Sequence, residues 1–175
     1  MMITEENNRT AHLLSVADKL MTAARTAPKA HGIDNLLIAK LDGDDLAALA
    51  AKMRELAARH GIPFFSRDAD NVAASSCVVL VGASTGPRGL KKCGMCGFAS
   101  CAEKPQAAPC VFGVVNLGIA LGSAAAAAAD ERVDTRVMYT IGQAAMELGL
   151  LGPDAKIVFG FPLSATGKNP FFDRK

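Results

Sequence analysis

The chain has 175 residues, half of them apolar, and a formal net charge of +2. This length and composition predict a single domain over residues 1–175 with a substantial buried core. So small a net charge, with scattered basic residues and few aromatics, predicts no nucleic-acid binding. The polar start (MMITEENNRT) is unlike a signal peptide, and no uninterrupted apolar run approaches ~18 residues. We therefore expect a cytoplasmic protein without a membrane span.

Hydrophobic periodicity and turn residues predict a layered fold of helices and strands. The predicted helices are 9–27, 46–60, 117–129 and 135–151, and the predicted strands are 35–42, 77–83 and 156–161. Two irregular tails are expected at 1–8 and 162–175, a connector or short strand at 63–67, and a short helical turn at 72–76. The segment GASTGPRG (82–89) lacks the Gly-Lys-Ser/Thr ending of a phosphate loop, so we expect it to lead into the next segment.

Four of the five cysteines fall within the twenty residues KKCGMCGFASCAEKPQAAPC. They are Cys93, Cys96, Cys101 and Cys110, with the spacing C-x2-C-x4-C-x8-C. Gly94 and Gly97 allow the backbone between them to turn tightly. The pattern predicts an iron–sulfur ligand loop, inserted at 88–110, that binds one [4Fe–4S] cluster. Cys77 lies in a predicted apolar strand and is expected to be a small buried hydrophobic residue.

Other uses of these cysteines are weighed against the cluster. A structural zinc site usually has two short knuckles, whereas this segment has one C-x-x-C; redox thiols or no metal are the further alternatives. Disulfides are not expected in a reducing compartment. A cubane with four thiolates is negatively charged, and the basic residues Arg88, Lys91, Lys92 and Lys104 flank the loop. Met95 and Phe98 are expected to shield the cluster from water.

Five segments resemble a prokaryotic family described as ferredoxin-domain-containing proteins. They are AARTAPKAHGIDN (23–35), CGMCGFASC (93–101), NLGIALGSAA, DTRVMYTIGQAAMELGLL and GFPLSATGKNPFFDR (160–174). The resemblance spans nearly the whole chain and implies a single iron–sulfur cluster, without supplying a reaction. The cysteine block also resembles a four-cysteine module of some anaerobic redox enzymes, in which the fourth cysteine lies further along than Cys110 does here.

A second resemblance is to the flavin-dependent nitroreductases. It rests on a helix that ends in AARTAP (23–28) and a late strand that ends in GFP (160–162). It implies an α+β fold with a central, largely antiparallel sheet flanked by helices, in an intertwined homodimer with FMN at the interface. The paired N-terminal arginines of those enzymes are represented here by Arg9 alone.

Three basic residues are candidates for binding a phosphate or another anion: Arg25, Lys29 and Lys168. Arginine and lysine near prolines in irregular backbone suit that role, although they also commonly cap carbonyl groups or lie in solvent. No catalytic residue is assigned, because no Ser–His–Asp or paired-carboxylate arrangement is visible.

The sequence predicts a redox or electron-transfer protein with one iron–sulfur cluster and an unidentified redox partner. Either a flavin or a small substrate is expected between Arg25, Lys29 and Lys168. The alternative is a non-enzymatic domain in which zinc or a cluster is a structural staple or sensor. A homodimer is also expected, because 117–129 and 135–151 are too apolar for surface helices of a small monomer. Gly122, Ala124 and Ala125 would allow close crossing of two helices; the alternative is that both helices pack on the chain's own sheet.

Overall fold

The computed structural model describes residues 1–172. Within them lie the strands β1 (Leu36–Leu41), β2 (Cys77–Ala83), β3 (Asp134–Thr135) and β4 (Ile157–Ser164). The helices are α1 (Glu5–Thr26), α2 (Gly43–His60), α3 (Pro63–Ala73), α4 (Val111–Asp130) and α5 (Tyr139–Glu147), with a 3-10 turn at Ala30–Gly32. The strands form one antiparallel sheet in the order β1-β2-β4-β3. The predicted α+β class with an antiparallel sheet is therefore confirmed.

The central strand β2 explains the layered architecture. All seven of its residues are buried, because helices cover both faces of the sheet. Cys77, Val79 and Val81 pack with α1 and α4 on one face. Val78 and Leu80 pack with α2, α3 and α5 on the other. A strand buried on both faces reads as a continuous apolar run, which is how CVVLVGA appears in the sequence.

Two glycines let α5 lie directly on β4. A Cβ added at Gly142 would fall 1.7 Å from the carbonyl oxygen of Val158. A Cβ at Gly160 would fall 2.1 Å from Cγ2 of Ile141. Both positions therefore require glycine for close helix–strand packing.

The N-terminal helix is longer than the sequence predicts. It begins at Glu5, so the predicted tail at 1–8 is wrong for its second half. Thr4 is the N-cap: its Oγ1 accepts the Asn7 N–H at 3.3 Å. Glu5 and Glu6 then lie in the first turn, where acidic side chains stabilise the positive end of a helix.

The expectation of a connector or strand at 63–67 is wrong, because α3 runs through 63–73. The helical turn expected at 72–76 is the end of this longer helix, where the Ser75 N–H donates to the Val72 carbonyl at 3.1 Å. Pro63 is at the helix start, where its missing N–H costs nothing. Phe65, Ala69 and Val72 are buried at helical spacing.

The predicted helix at 135–151 is also wrong at both ends. Thr135 belongs to β3, and the chain stays extended as far as Met138, whose N–H and C=O bond to Gly160. At its far end α5 stops at Glu147. The last strand continues through Pro162 to Ser164, so 162–164 are not an irregular tail; residues 173–175 of that predicted tail lie outside the described part of the chain.

Helix α4 begins directly after Cys110, six residues before the predicted start. By length and composition alone it could span a membrane, with a mean hydropathy of 1.8, contrary to the expectation that no segment could. One face of α4 is nevertheless core: Leu117, Ala120 and Ala124 are buried beside α1 and the sheet. Length and hydropathy do not distinguish a membrane-spanning helix from a core helix, and α4 has one face buried in the core.

Candidate metal centre

Residues 84–110 connect β2 to α4 and form neither helix nor strand. Gly89, Gly94 and Gly97 adopt φ values of 67°, 69° and 87°, which residues with a side chain rarely adopt. The N–H of Gly97 donates to the carbonyl of Gly94 at 3.0 Å, which closes a turn that contains Cys96. The segment therefore folds back on itself in the way that the sequence pattern required.

The four cysteines of this segment line one small cavity of about 20 Å³: Cys93, Cys96, Cys101 and Cys110. Its apolar walls include Leu90, Phe98 and Phe112, while Met95 is largely exposed, at 60%, and does not line the cavity. Within residues 1–172 no three His, Cys, Asp or Glu side chains are grouped closely enough to hold one metal ion. The four thiols therefore share one space without forming a compact single-ion site.

Exposure differs among the four thiols. Cys93 is exposed, Cys96 and Cys101 are partly exposed, and Cys110 is buried. The segment is therefore open to solvent at Cys93 and packed against the rest of the protein at Cys110. An open side of this kind would allow a metal to enter from solution.

Cys110 connects the cysteine cavity to the long helix α4. It is the N-cap residue; its N–H donates to the Thr85 carbonyl at 2.9 Å and its own carbonyl accepts the Gly113 N–H at 2.9 Å. Val111 and Phe112, the first two helical residues, line the cavity. The first N–H groups of a helix have no intrahelical acceptor and carry partial positive charge, which favours an anionic group at this end.

The residues present fit an iron–sulfur cluster in donor type and electrostatics. Four thiols supply the thiolates, and the start of α4 together with Lys104 supplies positive charge. Leu90, Phe98 and Phe112 exclude water from one side. A cavity of about 20 Å³ holds about one water molecule, so the irregular segment has to widen for a cluster to enter.

A pair of buried asparagines joins the two ends of the cysteine segment. Nδ2 of Asn35 donates to the carbonyl of Ser84 at 2.8 Å and to that of Gly113 at 3.4 Å. Nδ2 of Asn116 donates to Oδ1 of Asn35 at 2.7 Å, and Oδ1 of Asn116 accepts the Ala30 N–H at 2.9 Å. One amide thus holds the start and the end of 84–113 together. Sequence reasoning missed this clamp, although an asparagine within the apolar run of α4 was a usable signal.

Arg25 makes structural contacts. Its Nη1 lies 2.6 Å from Oδ2 of Asp34 and donates to the Leu36 carbonyl at 3.0 Å. Partial burial opposes ionisation of Asp34, but the hydrogen bond from the Leu36 N–H and the ion pair with Arg25 outweigh it and lower the pKa of this carboxyl. Arg25 thereby joins the end of α1 to the start of β1.

Lys29 and Lys168, the other two candidate anion ligands, lie apart from the cysteine cavity. The Lys29 ammonium donates to the carbonyls of Arg25 and Ala27, which caps the end of α1. Lys168 is exposed in the turn after β4, where its carbonyl accepts the Thr166 hydroxyl at 2.7 Å. The structure does not bring either side chain to the four thiols.

Cys77 is separate from this centre, as predicted. It has no solvent exposure, and its Sγ lies 3.8 Å from the Leu13 carbonyl oxygen. Burial raises the pKa of the Cys77 thiol to about 11. A thiol with such a pKa is protonated at neutral pH and is neither a nucleophile nor a metal ligand.

The fold is that of the nitroreductases. Nitroreductase A from Vibrio parahaemolyticus is similar to 92% of this chain with a TM-score of 0.57 at 15% identity. The NADPH:FMN oxidoreductase from Vibrio harveyi, complexed with NAD+, matches 100% of the chain with a TM-score of 0.55 at 15% identity. A protein assigned as a nitroreductase from Desulfovibrio desulfuricans, in complex with FMN, matches 100% of the chain and 81% of its own with a TM-score of 0.57 at 13% identity. The chain spans 61% and 65% of the two Vibrio proteins.

Sequence comparison supplies the family. Residues 106–174 match the family described as "Uncharacterized protein containing a ferredoxin domain (DUF2148)". An uncharacterized protein from Archaeoglobus fulgidus is 40% identical over 183 residues, which covers 99% of this chain and 98% of the relative. The chain belongs to this family of ferredoxin-domain-containing proteins, as the resemblance in the sequence indicated.

Proposed function

We propose that this protein is a cytoplasmic redox or electron-transfer protein that binds one [4Fe–4S] cluster through Cys93, Cys96, Cys101 and Cys110. The observation that carries the proposal is that these four cysteines line one cavity at the start of α4. Family membership and the fold of flavin oxidoreductases support a redox protein in general.

The roles of the surrounding residues follow from their positions. The four thiolates would hold the cluster, which when bound supplies one-electron redox chemistry. Lys104 and the first N–H groups of α4 would stabilise negative charge, and the apolar walls would limit access of water. The clamp of Asn35 and Asn116 would keep both ends of the segment fixed while its middle adapts.

Absorption spectroscopy of protein purified without oxygen tests this proposal. We expect broad absorbance near ~400 nm that dithionite bleaches, as thiolate-bound iron–sulfur centres show. A colourless protein with one zinc per chain would instead support the structural or sensor alternative, because zinc has a filled d shell. Protein purified in air is not a fair test, since oxygen degrades such clusters.

An FMN is a further part of the proposal. It is supported by two structural neighbours, the NADPH:FMN oxidoreductase from Vibrio harveyi and the FMN complex from Desulfovibrio desulfuricans. Arg25, Lys29 and Lys168 are the residues proposed for its phosphate, and all three would have to exchange contacts that they make in this structure. Titration of FMN, followed by its fluorescence, should show saturable quenching that Arg25→Gln weakens; Lys52→Gln, on α2, is the matched charge control.

We also propose a homodimer that uses the exposed face of α4. Val114, Val115 and Ile119 are 40%, 43% and 42% exposed, and no charged residue occurs between 111 and 129. Gly118 and Gly122 lie on the same face, and a Cβ added at either would meet nothing within 4 Å. Of the three small residues proposed for the crossing, Ala124 is buried in the chain's own core and Gly122 is exposed.

Light scattering after size exclusion measures the assembly. The expected mass is twice the single-chain 18.1 kDa. Ile119→Lys should give the single-chain mass, because it places a charge in the centre of a two-fold contact. Ile3→Lys, which charges an apolar residue that is 67% exposed elsewhere, should leave the mass doubled. A single-chain mass for the unaltered protein would refute the dimer.

A further inference from the structure

The segment that carries the four cysteines is held by hydrogen bonds at its two ends. At the first end, the Ser84 N–H donates to the Asn35 carbonyl at 3.0 Å. At the second, the Cys110 N–H donates to the Thr85 carbonyl at 2.9 Å. Within the part of the chain that the structure describes, no hydrogen bond joins residues 86–109 to a residue outside that range. We call residues 86–109 the flap.

The hydrogen bonds inside the flap are local. The Gly97 N–H donates to the Gly94 carbonyl and the Ala108 N–H to the Pro105 carbonyl, both at 3.0 Å. The Lys104 ammonium donates to the carbonyls of Pro105 and Ala108. Movement of the flap about its two ends therefore breaks none of the hydrogen bonds that residues 1–172 make to the sheet or to a helix.

Arg88, near the first end of the flap, has buried donors that are not satisfied. Its Nη1 donates to the Gly86 carbonyl at 3.5 Å, which is a long contact. Its Nε and Nη2 atoms are buried, and neither has a hydrogen-bond partner among residues 1–172. A buried donor without an acceptor costs free energy, more so when the group is charged, and folded proteins contain few of them. This cost favours any arrangement of the flap in which the guanidinium reaches water or an acceptor.

The cavity that the four cysteines line has a volume of about 20 Å³, so a cluster needs a wider arrangement of the flap. We propose that the flap has two arrangements, the narrow one described here and a wide one, and that Arg88 shifts the balance towards the wide one. In the wide arrangement the guanidinium of Arg88 is hydrated, and the cost of its burial is removed. The role of the flap in metal uptake rests on the proposed cluster, whereas its opening does not.

The Cys110 thiol reports on opening of the flap. Cys110 lines the cavity at the fixed end and is 7% exposed, whereas Cys93 is exposed and Cys77 lies in the core. In reduced protein prepared without metal, iodoacetamide should label Cys93 fastest. Cys110 should react at least roughly tenfold faster than Cys77, because opening of the flap needs less free energy than global unfolding. Labelling of Cys110 only together with Cys77, followed by mass spectrometry, would overturn the proposal.

Arg88→Met tests the role of the guanidinium in the same metal-free protein. Methionine keeps an unbranched apolar side chain and removes the buried charge. The variant should label Cys110 about fivefold more slowly and raise the melting temperature by about 3 °C, because the narrow arrangement loses its unpaired donors. Lys92→Met removes the same charge from an exposed position in the flap and should shift the melting temperature by less than about 1 °C. An unchanged labelling rate, a lower melting temperature, or failure of Arg88→Met to fold would each overturn the proposal.

Reconstitution with iron and sulfide connects the flap to the proposed cluster. Arg88→Met should take up iron about fivefold more slowly than the unaltered protein, and Lys92→Met should take it up at the unaltered rate. Equal slowing in both variants would overturn the proposal, because it would show that positive charge, and not burial of Arg88, sets the rate. If no form of the protein takes up iron, the cluster assignment fails, and thiol labelling still decides whether the flap opens.

Discussion

The sheet core and the segment 84–110 both carry cysteines, but they treat them in opposite ways. Cys77 lies in a strand with all seven residues buried and with hydrogen-bonded strands on both sides. The other four lie in chain with no regular structure, around a shared cavity that is open to solvent at Cys93. The role of a cysteine therefore depends on its surroundings. Regular packing makes the Cys77 thiol inert, whereas the irregular, glycine-rich segment leaves its thiols able to converge on a ligand.

The largest expected difference between the two regions is in metal content. Cys96→Ser should lose the iron and labile sulfide of the reconstituted protein, because a serine hydroxyl is a poor replacement for a thiolate on iron. Cys93→Ser and Cys101→Ser should behave in the same way. Cys77→Ser should retain both elements, although it is destabilised by a buried hydroxyl. Full iron content in Cys96→Ser would show that Cys96 is not a cluster ligand.

Glycine substitutions should lower the stability of the protein more in the sheet core than in the segment 84–110. Gly142→Ala should lower the free energy of unfolding by about 3 kcal/mol, or roughly 6–12 °C in melting temperature, because its Cβ overlaps the backbone of β4. Gly97→Ala has room but a φ of 87°, so it should strain the segment locally by about 1 kcal/mol. We expect Gly97→Ala to slow iron uptake at a nearly unchanged melting temperature. A large drop in melting temperature for Gly97→Ala, together with an unchanged melting temperature for Gly142→Ala, would contradict this prediction.

The asparagine clamp offers a smaller effect where the two regions meet. Asn35→Asp keeps the acceptor for Asn116 but places a carboxylate against the carbonyls of Ser84 and Gly113. We expect a loss of about 2 kcal/mol in stability and reduced cluster retention. Ser123→Ala removes a 2.9 Å hydrogen bond from α4 to the Ala23 carbonyl, away from the segment, and should cost about 1 kcal/mol with cluster retention unchanged. Equal retention in the two variants would show that the clamp does not position the segment.

The last expected effect is on the pH dependence of stability, and it appears only above pH 9. The folded Cys77 thiol keeps its proton up to a pKa of about 11, whereas an unfolded one loses it near 9.0. The stabilisation is therefore complete below pH 9 and is lost as the pH rises towards 11, by about 2–3 kcal/mol at most. Cys77→Ala should remove this part of the alkaline slope in urea unfolding. An identical slope in both proteins would mean that the thiol is not held in its protonated form.

The sequence was sufficient where one local signal dominated. The apolar run 77–83 predicted a strand, which is buried along its whole length. The predicted helix 46–60 ends at His60 as expected, where Gly61 adopts left-handed backbone. The cysteine spacing singled out four residues, and these four line one cavity. These features depend on neighbours in sequence, which a sequence displays directly.

Prediction failed where tertiary packing overrides the local pattern. The run from Thr135 to Leu151 is apolar enough to read as one helix, yet pairing with β4 keeps its first residues extended. The asparagine within α4 signals a buried polar contact, but its partner could not be predicted locally, since the hydrogen bond from Asn35 to Gly113 joins residues 78 positions apart. A large cavity of about 660 Å³ was missed for the same reason, since its walls come from stretches that are distant in sequence: 34–37, 84–87, 101–106 and 154–156.

Iron and labile sulfide analysis of anaerobically reconstituted protein tests the central claim most directly. All thiols must be reduced and excess metal removed before the measurement. The account predicts about four irons and four sulfides per chain, with dithionite-bleachable absorbance near ~400 nm. Failure to retain iron and sulfide under these conditions, or tight binding of a single zinc with no sulfide, would contradict the assignment of Cys93, Cys96, Cys101 and Cys110 as ligands of a cluster.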